Sequence, residues 1–254
     1  MTNSDGADTI RGRVALVTGS GRGLAAGVAR ALGRAGAKVV VNYRSDARSA
    51  EALVKEMREA GGHACALRAD VSDWEGARGL VDATLAAHGG IDVLVNGVGA
   101  FVWHQVAEIE PQEWRRLISS NLDTVFHMCR LVIPHMRKRH FGRIVSLGAV
   151  GAERTLAQPR VAAYSAAQAA VAAFSKALAL EEARNGITVN IVAPGVMEDH
   201  KRPGEPNNDH VVERIPVGRA GHPDELARAV LFLASPASGF VTGQTLAVAG
   251  GWHL

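Results

Sequence analysis

Three closely spaced glycines, Gly19, Gly21 and Gly23, directly follow the apolar run Val14–Val17. An apolar run, a glycine turn and a helical pattern together suit anion binding, because glycines let the backbone come close to a phosphate. The first helical turn then offers free N–H groups and the positive end of its dipole. The sequence predicts a pyrophosphate site here rather than a plain turn, with candidate residues Gly19, Ser20, Arg22, Gly23 and Leu24.

The residues after the second apolar run indicate which dinucleotide is bound. Proteins that bind NAD usually carry an acid there, which holds the ribose hydroxyls. The stretch 41–45 reads VNYRS, and the first acid is Asp46. Arg22 and Arg44 can instead grip a 2′-phosphate, since planar guanidinium groups donate two parallel hydrogen bonds. We therefore predict NADP(H) as the cofactor; the alternative is that both arginines are ordinary surface residues.

Strand-like and helix-like patterns alternate from one end of the chain to the other. The strand-like runs are almost continuously apolar, which is typical of strands with both sheet faces covered. The predicted helices begin near Gly23, Asp46, Asp73 and Pro111, and two more span about Val161–Asn185 and Pro223–Ala234. The predicted strands are Arg13–Thr18, Lys38–Asn42, Ala64–Ala69, Ile91–Asn96, Arg143–Leu147, Thr188–Val192 and Thr245–Val248.

Repeated strand–helix units predict an α/β fold, a single doubly wound Rossmann-type domain with a seven-stranded parallel sheet flanked by helices. No linker or change in composition divides the chain, so we expect a disordered tail over residues 1–10 and one domain over residues 11–254. The irregular segment from about 197 to 215 follows the sixth strand. Open α/β sheets bind ligands at that edge, so the segment is predicted to be a lid; a merely disordered loop is the alternative.

Composition and charge limit the partners. The net charge is only +3, and the short basic run Arg137–His140 is typical of a solvated helix end, so we expect no nucleic-acid partner. No apolar stretch has the length of a membrane span and residues 1–10 lack a signal-peptide core, so we expect a cytoplasmic protein with no membrane partner. Cys65 and Cys129 are predicted to be reduced thiols, and the ten histidines form no compact ligand motif, so no metal site is predicted.

Short motifs along the whole chain match those of one protein family. The matching positions are Thr18, Gly19 and Gly23, then Asp70-Val71, Asn96-Gly97-Val98-Gly99, Asn121, Tyr164, Pro194-Gly195 and the segment from Gly218 to Gln244. With these residues the chain resembles the short-chain dehydrogenase/reductase family from Gly12 to its C-terminus, in particular members similar to the 3-oxoacyl-carrier-protein reductases.

The resemblance implies roles for the matching residues. Tyr164 is expected to donate a proton to a small-molecule carbonyl as hydride arrives, and Asn121 to support a water that relays protons. Further cofactor contacts are expected from Asp70, at the adenine, and from Val71, Asn96, Gly97, Pro194 and Gly195. Family members pair the long helices before and after the fifth strand, so a homodimer or homotetramer is implied.

The chain departs from the family at two catalytic positions. The family's serine after the fifth strand falls on Ala149, and the lysine four residues after Tyr164 is Gln168. Ser146 is not expected to replace that serine, because an odd offset on a strand places it on the other face. Gln168 can hydrogen-bond a ribose hydroxyl but brings no charge, so Tyr164 is expected to keep a pKa near its reference value of about 10.

Smaller departures are Ala25, in place of the last glycine of the phosphate turn, and Asp199, in place of a threonine. Losing one donor to a developing oxyanion typically costs about 100- to 1000-fold in rate. We therefore expect a strongly weakened carbonyl reductase, or a protein that no longer carries out that reaction. The candidate groups to take over proton transfer come from the loops that follow the strands. They are His104 above all, then Glu153-Arg154 and Glu198-Asp199-His200.

Three functions follow from these residues. The first is an NADP(H)-dependent oxidoreductase that acts on a carbonyl or hydroxyl group with Tyr164 as proton donor. The second is a non-redox dehydratase, cyclase or isomerase that uses His104, Tyr164 or the cluster at 198–200 for proton transfer, with any bound nucleotide in a structural role. The third is a catalytically silent nucleotide-binding subunit, since one fold supports many functions.

Overall fold

One parallel sheet of seven strands organises the part of the chain that this computed structural model describes, residues 9–154, 158–198 and 212–253. The strands are β1 (Val14–Val17), β2 (Lys38–Tyr43), β3 (His63–Arg68), β4 (Val93–Asn96), β5 (Gly142–Leu147), β6 (Ile187–Pro194) and β7 (Thr245–Val248). Their order is β3-β2-β1-β4-β5-β6-β7, and every neighbouring pair is parallel. The predicted fold class is confirmed.

Helices cover both faces of the sheet. They are α1 (Gly23–Arg34), α2 (Ala47–Glu59), α3 (Trp74–His88), α4 (Pro111–Ile118), α5 (Thr124–Arg139), α6 (Ala162–Glu182) and α7 (Pro223–Ala234). Ala15 and Val17 of β1 pack with residues of α1, α2 and α7, whereas Leu16 packs with residues of α3, α5 and α6. This alternation along a strand explains why the strands are apolar at nearly every position.

Local capping signals fix the helix ends. The Asp46 and Asp73 side chains accept hydrogen bonds from the Ser49 and Gly76 N–H groups at the starts of α2 and α3. Such caps satisfy N–H groups that have no partner within the helix. Gly89 ends α3 in the left-handed conformation, at φ 74°, which glycine adopts without strain.

Several element boundaries differ from the sequence-based expectation; β6, for example, ends at Pro194 and not at Val192. The helical pattern that begins at Pro111 forms two helices, α4 and α5, joined by a π-helical turn at Ser119–Asp123. The fourth strand begins at Val93 and not at Ile91, and just before it the Asp92 carboxylate accepts a hydrogen bond from the Val14 N–H group at 2.8 Å.

Strand order creates a crevice between β1 and β4. The chain proceeds from β1 outward to β2 and β3, then returns to place β4 on the other side of β1. The connection after β1 therefore leads to one side of the sheet and the connection after β4 to the other, and open α/β sheets bind ligands at such a switch point.

The predicted lid is described only at its ends. Met197 is buried and forms an isolated parallel bridge with Gly221, and Ile215 is buried as well. The expectations for residues 199–211, which include Asp199 and His200, and for residues 1–8 of the tail lie outside the described residues. Among the described residues, every helix is too short or too polar to cross a lipid bilayer.

Candidate active site

The glycine turn after β1 is held tightly against the loop after β4. Gly19 and Gly23 have positive φ angles of 63° and 64°. A Cβ on Gly19 would lie 2.9 Å from Val98 Cγ2, so only glycine fits there. The Gly97 N–H group donates to Thr18 Oγ1 at 3.0 Å, which ties the two loops together.

Asn42, a residue that the sequence analysis did not single out, supports the turn from β2. Its Oδ1 accepts from the Gly19 N–H group at 3.1 Å, and its Nδ2 donates to the Leu67 and Ala69 carbonyls. A lone amide in an otherwise apolar strand was the available signal. Ser20 also acts within the protein, since its buried hydroxyl donates to the Val17 carbonyl at 2.7 Å.

The first turn of α1 is open to an anion. Arg22 precedes the helix in an extended conformation, no side chain caps the helix start, and the first turn contains no acid. The N–H groups in the first turn of α1 are therefore available to bind a negatively charged group. Gly23 and Leu24 begin this turn, as predicted, and the Arg22 side chain is exposed.

Charged groups cluster where β2 and β3 end. Arg44 Nη1 lies 3.5 Å from Asp70 Oδ2, and Asp70 Oδ1 accepts from the Ser72 N–H and hydroxyl groups at 3.0 and 2.6 Å. Burial acts to raise the pKa of Asp70, but the Ser72 hydrogen bonds and the Arg44 charge outweigh it and hold that pKa below its usual value. Asp70 is thus a carboxylate fixed beside the predicted adenine site. Val71 is buried, and its carbonyl lies 3.1 Å from His127 Nδ1.

Asp46 is committed to the start of α2. Hydrogen bonds from Ser49 lower its pKa, and the positive charges of Arg22 and Arg48 act in the same direction. Asp46 Oδ1 is thus engaged at the start of α2.

Asn96 and Ser146 form a buried pair inside the sheet. Asn96 Nδ2 donates to Ser146 Oγ at 3.2 Å, while Asn96 Oδ1 is enclosed and has no partner among the described residues. Ser146 Oγ is therefore directed toward Asn96 and is held within the sheet. This contact agrees with the expectation that Ser146 does not substitute for a hydroxyl at position 149.

Three of the predicted residues meet on α6 and the π-helical turn. Gln168 lies one turn after Tyr164 on α6, and its Nε2 donates to Asn121 Oδ1 at 3.1 Å. Asn121 Nδ2 in turn donates to the Ala100 and Leu117 carbonyls. The π-helical turn carries Asn121, in keeping with the frequent occurrence of such turns at functional sites.

The loop after β4 lies over the start of α6. The Phe101 ring packs edge-on against the Tyr164 ring, with centroids 5.1 Å apart. The His104 N–H group donates to the Arg160 carbonyl, which brings His104 to the same region. Its imidazole, however, contacts Glu113 of α4, with Nδ1 3.1 Å from Glu113 Oε2.

The remaining candidates follow β5 and β6. Gly195 donates its N–H group to the Val248 carbonyl, and a Cβ on it would lie 2.8 Å from Ala249 Cα, so the chain passes β7 closely just after Pro194. Glu153 and Arg154 pair with each other at 3.4 Å. All of these loops leave the carboxyl edge of the sheet, where a nucleotide and a substrate would meet.

Comparison with known proteins agrees with this geometry. A family model described as Enoyl-(Acyl carrier protein) reductase matches residues 19–253. The chain is 40% identical over 252 residues to 3beta-hydroxysteroid dehydrogenase 1 of Eggerthella lenta, which covers 97% of this chain and 96% of that protein. It is 38% identical over 240 residues to a 3-oxoacyl-(acyl-carrier-protein) reductase of Synechocystis, covering 94% of this chain and 96% of that protein.

Solved structures point the same way. A gluconate 5-dehydrogenase from Burkholderia cenocepacia, solved in complex with NADP and tartrate, superposes with a TM-score of 0.89 at 39% identity. The match covers 96% of this chain and 97% of that one. The chain therefore belongs to the short-chain dehydrogenase/reductase family, a family of oxidoreductases.

Proposed function

We propose that the chain is an NADP(H)-dependent oxidoreductase that reduces the carbonyl group of a small molecule, with Tyr164 as the proton donor. The observation that carries the proposal is the position of Tyr164 on α6, one turn before a Gln168 amide that is fixed by Asn121. These groups lie at the same edge of the sheet as the uncapped first turn of α1. A proton donor and a nucleotide site at one edge are what carbonyl reduction requires.

The nucleotide end fits a dinucleotide that carries a 2′-phosphate. The start of α1 has no cap and no acid, Asp46 is occupied as the cap of α2, and Arg22 and Arg44 are exposed beside them. The NADP in the gluconate 5-dehydrogenase structure supports the same choice. The residues proposed to hold the cofactor are Gly19, Ser20, Arg22, Gly23, Leu24, Arg44, Asp70, Val71, Asn96, Gly97, Gln168, Pro194 and Gly195.

The chemistry at the catalytic end of the site, around Tyr164, depends on few groups. The nicotinamide, when bound, supplies the hydride. Tyr164 gives its phenolic proton to the carbonyl oxygen, and Asn121 holds the Gln168 amide one helical turn further along α6. Ala149 offers no hydroxyl, so the carbonyl oxygen has one donor fewer than in the family pattern. His104 is proposed as a further acid–base group, oriented by Glu113.

We also propose that the chain forms a homodimer or homotetramer through α5 and α6. Phe126 on α5 is 46% exposed and Leu180 on α6 is 83% exposed, so both present apolar surface. Large apolar side chains on neighbouring helices suit a second copy of the same surface.

Cofactor binding and turnover separate the open alternatives. The fluorescence of the four tryptophans, titrated with NADPH and NADH, is expected to show tighter binding of NADPH. NADPH oxidation is then followed with a panel of ketones and keto acids. Tyr164→Phe is expected to lower turnover by about 100-fold or more, and His104→Ala by less than about tenfold. Thr124→Ser, a conservative change on α5, serves as the matched control.

Each alternative has its own outcome. Conversion of a substrate without any consumption of NADPH would indicate the non-redox dehydratase, cyclase or isomerase. Tight NADPH binding with no oxidation above background across the panel would indicate the silent nucleotide-binding subunit. Equal turnover by the wild-type and Tyr164→Phe proteins would overturn the role assigned to Tyr164.

A further inference from the structure

The orientation of the Gln168 amide is set by its partner. Asn121 Nδ2 donates to the Ala100 and Leu117 carbonyl oxygens at 2.9 and 2.8 Å. Carbonyl oxygens only accept, so the NH₂ group of Asn121 must face them and its Oδ1 must face Gln168. Gln168 accordingly presents Nε2 to that oxygen, at 3.1 Å. Its other amide atom, Oε1, is the one left for a ligand.

Gln168 Oε1 is enclosed and lacks a partner among the described residues. The Gln168 side chain is itself well buried, at 6% exposure for the residue. A Cβ on Gly148 would lie 3.7 Å from Oε1, so this oxygen is beside the end of β5, next to Ala149. A buried carbonyl oxygen without a donor is unfavourable, and a ligand hydroxyl would satisfy it.

We infer that Gln168 is a positioning residue that offers a hydrogen-bond acceptor to a ligand hydroxyl, where the family pattern offers a cation, and that Tyr164 therefore works as a neutral acid up to strongly alkaline pH. The inference rests on the proposed function. A neutral amide one helical turn from Tyr164 does not compensate the charge of a phenolate, whereas an ammonium does. The residue at position 168 thus determines whether Tyr164 is ionised, and it also positions the ligand hydroxyl.

The proton and hydride balance of the reduction is simple. The O–H bond of Tyr164 breaks as the carbonyl oxygen gains the proton, and the carbonyl carbon gains a hydride from the reduced dinucleotide. The product is an alcohol and the oxidised dinucleotide, and solvent returns a proton to Tyr164. In the reverse direction Tyr164 must first lose its proton, because only the phenolate accepts one from the alcohol.

Among the described residues, no other charged group around α6 replaces the missing ammonium. The elements packed against α6 are α4, α5, the π-helical turn, the short helix at 152–154, β6 and the turn at 183–185. Lys138 on α5 adjoins Arg137, which pairs with Glu182 at the far end of α6, and Lys176 on α6 lies about 18 Å along the helix axis from Tyr164. The other ionisable residues of these elements, with that of the loop over Tyr164, are His104, Glu113, Arg115, Arg116, Asp123, His127, Arg130, His135, Arg137, Arg139, Glu153, Arg154 and Arg184.

These residues are exposed or already engaged, apart from Asp123 and His135, which are partly exposed. Glu113 contacts His104, and Glu153 pairs with Arg154. Arg115 and Arg116 are exposed on α4, where water screens their charge. Arg184 lies beyond the far end of α6.

Ionisation of Tyr164 is measurable without any substrate. The chain has two tyrosines, so the ultraviolet absorbance of tyrosinate in a Tyr43→Phe variant reports Tyr164 alone. We expect no ionisation below about pH 9. Gln168→Lys in the same background is expected to lower the midpoint by at least about one pH unit, whereas the neutral control Gln168→Met leaves it unchanged. Circular dichroism at each pH verifies that the fold is intact.

Two results would overturn the inference. One is ionisation of Tyr164 near neutral pH while Gln168 is present. The other is the same midpoint in the Gln168→Lys and Gln168→Met proteins. If the Gln168→Lys protein does not fold, the titration of the Tyr43→Phe protein alone still tests the inference. A strongly alkaline midpoint for Tyr164 is expected, and a midpoint near neutral pH would overturn the inference.

Turnover gives an independent test. With the wild-type protein, kcat/KM for carbonyl reduction is expected to be flat from about pH 6 to 9, while kcat/KM for alcohol oxidation rises about tenfold per pH unit. A plateau in the oxidation profile below about pH 8 would contradict the inference. Absence of any turnover would count against the proposed function instead, and the absorbance titration would still decide the charge state of Tyr164.

Discussion

Gly97 lies against Ala25 so closely that a Cβ on Gly97 would be 2.6 Å from the Ala25 methyl group. The same Cβ would be 2.6 Å from the Thr18 carbonyl oxygen. The family pattern has a glycine at position 25 and an asparagine at position 97. The two departures are therefore complementary in volume, since a methyl group is gained on α1 where a side chain is lost after β4.

The Ala25–Gly97 contact predicts a measurable coupling. Gly97→Ala is expected to destabilise the fold by about 1–3 kcal/mol, because the added methyl group overfills a packed contact. Adding Ala25→Gly is expected to recover part of that loss, and the Thr18 carbonyl accounts for the remainder. Urea unfolding of the two single variants and the double variant gives the coupling energy.

Gly79 provides the control for this pair. A Cβ on Gly79 meets no atom within 4 Å, and the residue lies inside α3. Gly79→Ala is therefore expected to stabilise the protein by about 0.5–1 kcal/mol. Strictly additive effects of Ala25→Gly and Gly97→Ala would show that the two positions are independent.

Arg44 is predicted to contribute to the choice of NADPH over NADH. Arg44→Ala is expected to weaken NADPH binding by about ten- to a hundredfold, the value of a hydrogen bond to a charged phosphate, and to change NADH binding little. Tryptophan fluorescence titration measures both. Arg78→Ala, which breaks the exposed pair with Glu75 on α3, is the control and is expected to leave both affinities unchanged. Equal losses for the two cofactors would exclude recognition of a 2′-phosphate by Arg44.

The Glu182–Arg137 ion pair between α6 and α5 is predicted to support stability above acid pH. The Glu182 side chain is 1% exposed. Hydrogen bonds from Arg137 lower the pKa of Glu182; burial opposes this, and Asn185 adds a further lowering hydrogen bond. Arg137→Met is expected to cost about 1–3 kcal/mol at pH 7, less than for a fully buried pair because half of the Arg137 side chain is exposed.

The pH dependence of this loss has a definite sign. A carboxyl group with a lowered folded-state pKa stabilises the fold above its unfolded value of about 4.3, and the contribution disappears as pH falls through the folded value. The difference in unfolding free energy between the wild-type and Arg137→Met proteins should therefore shrink below about pH 4. Arg30→Met, which breaks the exposed pair with Glu56, is the control and should cost less than about 1 kcal/mol. A loss that does not vary with pH would mean that Arg137 acts through packing alone.

Restoring the family residues at positions 149 and 168 is predicted to raise reduction of simple ketones. Ala149→Ser supplies a donor for the carbonyl oxygen and Gln168→Lys supplies a cation beside Tyr164. Together they are expected to increase kcat/KM by about 100-fold or more, and the gain should vanish when Tyr164→Phe is added. NADPH oxidation with the ketone panel measures the effect. No gain from the double variant would mean that the pocket has been reshaped beyond these two residues.

Much of the fold was predictable, because buried parallel strands are apolar at nearly every position. The boundaries of β2, β3, β5 and β7 lie within one residue of the expectation. The π-helical turn was not predictable, since an extra residue in a helix leaves no mark in the apolar pattern. The start of β4 was placed two residues too early, because the end of a strand depends on its pairing with β1, which is distant in sequence.

The candidate site divides in the same way. The glycine turn and the Tyr164–Gln168 spacing are local, so sequence reasoning located both. The Gln168–Asn121 hydrogen bond and the His104–Glu113 contact join separate elements, and side-chain direction across such a junction depends on packing. Asn42 was overlooked for the same reason, since its role appears only when β2 lies beside the turn after β1.

Isotope transfer tests the central claim most directly, namely that the chain moves hydride to a carbonyl with Tyr164 as acid. NADPH deuterated at C4 of the nicotinamide is incubated with the wild-type protein and the ketone panel, and the alcohols are analysed by mass spectrometry. Deuterium is expected on the former carbonyl carbon, with a rate that falls by about 100-fold or more in Tyr164→Phe. No deuterium in any alcohol at saturating NADPH, or the same transfer rate in both proteins, would contradict the claim.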